Sequence, residues 1–300
     1  MFYYGTKNIN EVVQYCDLIE QTYSEFSISI PPGTELALAM AEVRKYHRDY
    51  TTSTLTTLNN EQFFEYIRRV LSIDRLGTVI KYMKSSDNLN EVLKLLLRGR
   101  IDPIDEEQSK GHDLEYEMFI CSIFRKAGIP AELIEPDIVI EYEGKKYPIA
   151  CKRLYSVKGI KRQLGKGKDQ LRKFGQKGFI GLSIEPLYTH EHSKGIMQVD
   201  DLDNMMIYTT TKVREECEKI AQWSNPFVSS NHYWDKCVCL IISYTTLTFV
   251  RKPEITDAPI QTIANQLSFN VVGLSESSPT TQAIFRMVQQ IQRSFSSQSQ

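Results

Sequence analysis

The chain has 300 residues, 41% apolar and 24% charged. That excludes a disordered or fibrous chain, and it supplies a core that needs no disulfide or structural metal. One large domain or two modest ones fit this length. The net charge of −1 argues against a uniformly basic nucleic-acid binder, but it is the sum of very unlike segments.

No apolar run approaches the ~18 residues a bilayer span requires. The opening MFYYGTKNINEVV lacks a basic stretch leading into an apolar one, so no signal peptide is expected. Cys16, Cys121, Cys151, Cys217, Cys237 and Cys239 sit mostly in apolar or periodic stretches without a paired framework. They read as reduced thiols of a cytoplasmic protein.

Residues 1–100 read as an all-helical domain. Asn8 or Asn10 caps a helix to about Tyr23, with Val12, Val13, Cys16, Ile19 and Tyr23 on one face. Pro31-Pro32-Gly33 breaks the chain, and a second helix follows from Thr34 to about His47. The polar run 51–60 is a loop. Asn60 caps EQFFEYIRRVLSI, and shorter helices are expected at 74–84 and 88–98. Residues 101–111 read as a linker. A helix then carries Glu115 and Glu117 and stops at Gly128. After a short strand from Ala131, PDIVIEYEGKKYPIACKRL reads as a β-hairpin turning at Glu143-Gly144. A mostly helical basic stretch covers 158–174, and FIGLSIEPL is a strand. Beyond it come a helix at about 209–222, a strong strand at 237–250, a helix at about 280–294 and a disordered SFSSQSQ tail.

The chemistry-bearing residues gather around the hairpin. Pro136-Asp137 opens its first strand, and Lys152 lies on the return strand within Ile149-Ala150-Cys151-Lys152-Arg153. Glu115 and Glu117 stand upstream, Gln163 and Gln170 downstream. From Lys145 to Lys177 there are twelve Lys and Arg against the single acid Asp169. Such a concentration suits phosphate neutralisation and counterion release.

This arrangement resembles the PD-(D/E)xK nuclease superfamily, in its restriction-endonuclease-like and Mrr-like branches. The family motif is Asp, then (Asp/Glu)-x-Lys. Asp137 and Lys152 match its ends, and Ala150 stands where the second acid is expected. The resemblance covers about residues 112–186, a quarter of the chain. It implies an α/β fold with a restriction-endonuclease-like mixed sheet flanked by helices. That core sits in a 112–300 domain with a C-terminal extension, after the helical domain of 1–100.

The resemblance implies a metal-dependent endonuclease using Mg²⁺ or Mn²⁺, acting on double-stranded DNA in prokaryotic antiphage defence or restriction. The ligands it implies are Asp137, Glu117, the backbone carbonyl of Cys151 and an acid at 150; Gln170 accompanies them and Lys152 is the catalytic cation. Hard oxygen ligands hold Mg²⁺, which activates water and neutralises phosphate. A Lys two residues after the acid shares its strand face and stabilises charge on the phosphate. Lys158, Lys161, Arg162, Lys166, Lys168, Arg172 and Lys173 are the expected DNA cradle, contacting backbone rather than bases.

Ala150 leaves this form inactivated, either by engineered removal of the acid or as a natural pseudonuclease that binds DNA or a partner without cutting. The helical domain is expected to serve recognition, regulation or oligomerisation, through a second copy or a partner subunit. A zinc site at His190, His192, Cys237 and Cys239 is disfavoured, because the two cysteines are expected on one face of a buried strand, where Cys acts as a small hydrophobe. A Cys151 nucleophile is disfavoured because its side chain points away from the Ala150–Lys152 face.

Overall fold

The structure is a computed structural model. It describes residues 5–6, 9–50, 60–86, 89–99, 101–102, 110–188, 197–199, 211, 214–224, 236–250, 261–272 and 274–296. The expected loop at 51–59, most of the expected linker (103–109), His190, His192 and the end of the tail lie outside the described residues.

The chain is a mixed α/β protein with helices at its N-terminus: α1 (Ile9–Glu25), α2 (Glu35–Tyr50), α3 (Asn60–Met83) and α4 (Leu89–Leu96). Next come α5 (Lys110–Lys126), α6 (Ile160–Phe174), α7 (214–224) and α8 (Pro279–Ser296). The strands are β1 (Gly5–Thr6), β2 (Ala131–Glu132), β3 (Ile138–Tyr142), β4 (Lys145–Arg153), β5 (Gly178–Ser183), β6 (Met197–Val199), β7 (Cys237–Val250) and β8 (Gln261–Val271). They form one sheet in the order β1-β8-β7-β5-β4-β3-β2, with β6 also on β7. The hairpin β3–β4 is antiparallel, whereas β4, β5 and β7 run parallel. Among the described residues, no helix is long and apolar enough to cross a membrane.

Two apolar clusters sandwich the sheet. On one face Ile138, Ile140, Ile149, Cys151, Phe179 and Ile241 pack with α1 to α5 and α8 in a single continuous cluster. On the other, Ala150, Leu154, Ile180, Leu182 and Ile242 pack against Ile160, Leu164 and Leu171 of α6 and Cys217 and Ile220 of α7. The alternation of side chains along β4 therefore sends Ile149 and Cys151 to the α5 side and Ala150 to the α6 side.

Local chemistry accounts for the hairpin and its flanking helices. Glu143 (φ 49°) and Gly144 (φ 70°) both take left-handed conformations, as a tight turn matched to strand twist demands. Gly128 (φ 72°) follows α5, and Gly175 (φ 82°) caps α6 with its N–H on the carbonyls of Leu171 and Arg172.

Several sequence expectations change. The helices expected at 61–73 and 74–84 run as one, α3. Gly77 lets α3 cross α1 closely: a Cβ there would lie 2.3 Å from Tyr15. Strand β8, which is not among the expected elements, pairs with β7 from Cys239 to Phe249. Cys237 and Cys239 do not share a face. A bulge opposite Gly178 and Phe179 places Cys237 in the α6-side cluster and Cys239 in the other. All six cysteines are free and buried.

Candidate active site

The β3–β4 register, Ile138 opposite Ile149, carried one residue further sets Asp137 across from Ala150. Opposed residues of an antiparallel pair share a face, so Asp137, Ala150 and Lys152 lie together on the α6 side. The Glu135–Pro136 peptide before them is cis. Asp137 Oδ2 accepts the Cys151 backbone N–H at 2.7 Å and the Lys152 ammonium at 3.1 Å. Its Oδ1 accepts Gln170 Nε2 at 3.1 Å, and the same nitrogen reaches the Pro136 carbonyl at 3.2 Å. Lys152 Nζ also donates to the Cys151 carbonyl at 2.5 Å. One carboxylate thus collects donors from β4 and α6, and the ammonium bridges two oxygens expected as metal ligands.

Glu117 approaches from α5, on the opposite side of the sheet, near enough for its carboxyl to feel the charges of Asp137 and Lys152. Burial first, and then the Asp137 charge, push its carboxyl up to about 8, with Lys152 opposing both. Asp137 is also raised by burial, against Lys152, the Cys151 N–H and Gln170. Crowding two acids in a partly dry site keeps the less well bonded one, Glu117, protonated to higher pH. Gln163 is buried, and Gln170 is the amide hydrogen-bonded to Asp137. Glu115 is fully buried and faces away, toward Arg75 of α3. Cys151 is buried in the α5-side cluster, as expected, and burial raises its thiol well above the ordinary range.

Whether these residues fit a resident divalent cation turns on donor count. Asp137 and the Cys151 carbonyl converge, Glu117 lies near, and Ala150 contributes a fully buried methyl group. Among the described residues, no three His, Cys, Asp or Glu side chains gather at one point. The set as it stands is one anionic ligand short for a hard cation that gives up water reluctantly.

The cradle residues divide by helical periodicity. Ile160, Leu164, Gly167 and Leu171 face the sheet, and Gln170 sits at one edge of that stripe. At ~100° per residue, Arg162, Lys166 and Lys173 fall on the outer side of the Gln170 edge. Lys161, Lys168 and Arg172 fall on the opposite edge. Lys158 is exposed in the short turn before α6.

Spacing did not reveal a second group beside the site. Arg75 Nε lies 2.6 Å from Glu115, and Arg75 Nη1 lies 3.0 Å from Glu185. Ser183 donates to Glu185 at 2.6 Å, and Arg153 donates to the His112 carbonyl at 3.3 Å. Arg75 and Glu185 are 110 residues apart, and no local pattern links them. Against protein-family models, curated proteins and solved structures, the chain finds no match.

Proposed function

We propose that this chain is a PD-(D/E)xK-type, restriction-endonuclease-like core that binds DNA, a metal-dependent endonuclease held in a binding-only form by the missing acid at 150. The observation that carries this reading is the Asp137 carboxylate. It faces Ala150 across a hairpin, bonded at once to Lys152 two residues further along β4 and to Gln170 of α6. The surrounding order of helix, hairpin, basic helix and parallel strand supports it.

Each residue has a task in this reading. Lys152 presents an ammonium to a phosphate oxygen or to the attacking water. Asp137 fixes that ammonium, and Gln170 fixes Asp137. The Gln170 Oε1 atom is buried without a hydrogen-bond partner, and it offers an acceptor to a water in the site. The basic edge of α6 holds the phosphodiester backbone. A divalent cation, when bound, supplies Lewis acidity and a more acidic water.

Ala150→Glu provides the missing ligand. Because Ala150 is fully buried beside apolar side chains, a Glu there keeps its charge out of the apolar cluster only by turning along the strand toward Asp137. The expected outcome is nicking and linearisation of supercoiled plasmid by the Ala150→Glu chain in Mg²⁺ or Mn²⁺. The chain as it stands should bind the same DNA without cutting. Equal cutting by both forms would show that 150 is not a ligand position.

A second reading, a module that binds and never cuts, is favoured by one observation: Lys152 already bridges Asp137 and the Cys151 carbonyl. DNA binding by both forms with cutting by neither would establish it.

A further inference from the structure

Arg75, Glu115 and Glu185 are 3%, 2% and 0% exposed. They tie α3 of the N-terminal helices to α5 and to the turn after β5. The Arg75 guanidinium also lies 4.0 Å over the Phe119 ring. Stability alone is a poor account of this group. Buried ion pairs lose most of their attraction to desolvation, and apolar replacements of similar size are often as stable or more so. Its position is more telling. Glu115 is two residues before Glu117 on the same helix, and Arg153, whose charge acts on Glu115, directly follows Lys152.

Resting on the nuclease reading above, we propose that Arg75 is a positioning residue: by gripping Glu115 and Glu185 together it sets the rotation of α5 about its axis, and so where Glu117 stands relative to Asp137. Two residues along a helix are ~200° apart, so what fixes Glu115 on one side of α5 fixes Glu117 on the other. At a side-chain radius of ~6 Å, a rotation of ~10° moves a carboxylate by ~1 Å. A misplacement of that size lowers rates about 100-fold. The N-terminal helices thereby act on the site through α5.

The test uses full-length chains carrying Ala150→Glu. The first has that change alone. The second adds Arg75→Lys, which keeps the charge but lacks the planar fork that reaches both acids. The third adds Arg75→Met, Glu115→Met and Glu185→Leu together. Melting temperature, DNA affinity and single-turnover cleavage at saturating DNA are measured for each.

The expected result is a folded triple variant that melts somewhat lower than its parent, because buried Arg153 loses the Glu115 charge, and that binds DNA within about twofold, yet cuts about 100-fold more slowly. Arg75→Lys should fall between the two in rate. A folded triple or Arg75→Lys chain that cuts as fast as the parent would overturn the inference and leave the nuclease reading standing. If the triple does not fold, Arg75→Lys decides; if neither folds, the group is a folding requirement and the inference fails. A parent that binds DNA but does not cut overturns both.

Discussion

At the scale of single residues, the site holds two acids in opposed surroundings. Asp137 has three donors on its carboxylate, whereas Glu117 is raised from 4.5 to about 8, chiefly by burial and then by Asp137. Between those pH values the unfolded chain gives up the Glu117 proton and the folded chain keeps it. Stability from this residue is therefore fully present below 4.5 and falls as pH rises toward about 8. Glu117→Gln should remove that slope, so its melting temperature should exceed the parent's at pH 8 and converge with it near pH 4.5. Melts at both pH values check this; a gap that does not widen with pH would place Glu117 in water.

That Asp137 and Lys152 share a face was legible in the sequence, because the Glu143-Gly144 turn and strand alternation fix the hairpin register, whereas Gln170 was one of two candidate amides on the basic stretch. Arg75 and Glu185 were not legible. Their pairing arises only from how distant elements pack, and a buried Arg in a helix looks like any other until its partners are known.

At the scale of elements, α6 is the one whose chemistry follows most directly from its pattern. Its basic, mostly helical character was readable, and its basic residues separate into two edges once Gln170 is placed. Reversing Arg162, Lys166 and Lys173 to Glu should weaken DNA binding strongly and flatten its dependence on salt. Reversing Lys161, Lys168 and Arg172 should do much less. Titrations at several salt concentrations would distinguish the edges, and equal effects would mean the backbone does not follow the Gln170 side. The first turn of α6 carries Lys161 and Arg162 and no acid, opposite to what the helix dipole favours by about 0.3–1 kcal/mol per charge. A bound phosphate nearby would offset that. Strand β8 escaped the sequence for the converse reason. Gln261, Asn265, Gln266 and Asn270 obscure its alternation, and it is a strand because β7 lies beside it, not because of its own propensity. The bulge that parts Cys237 from Cys239 is likewise set by the pairing of β5 with β7.

At the scale of the whole molecule, one apolar cluster runs from Val12 of α1 through Phe119 of α5 and Ile149 of β4 to Ile291 of α8. The helices of residues 1–100 therefore share their core with the sheet. Calorimetry should give one unfolding transition with matching calorimetric and van't Hoff enthalpies; two resolved transitions would show that the N-terminal helices unfold independently. The sheet's connectivity bears on synthesis as well as on the finished fold. Glu117, Asp137, Lys152 and Gln170 leave the ribosome in one short run, and the hairpin that joins two of them closes locally. Strand β5 follows immediately, and every one of its residues is buried in the finished protein. Its far neighbour β7 begins only at Cys237. At about 5–20 residues per second, the strand GFIGLS waits about 3–10 s for that partner, while chain collapse takes microseconds. During that interval every residue of the candidate site has been synthesised, while the apolar strand beside them still lacks its β7 neighbour.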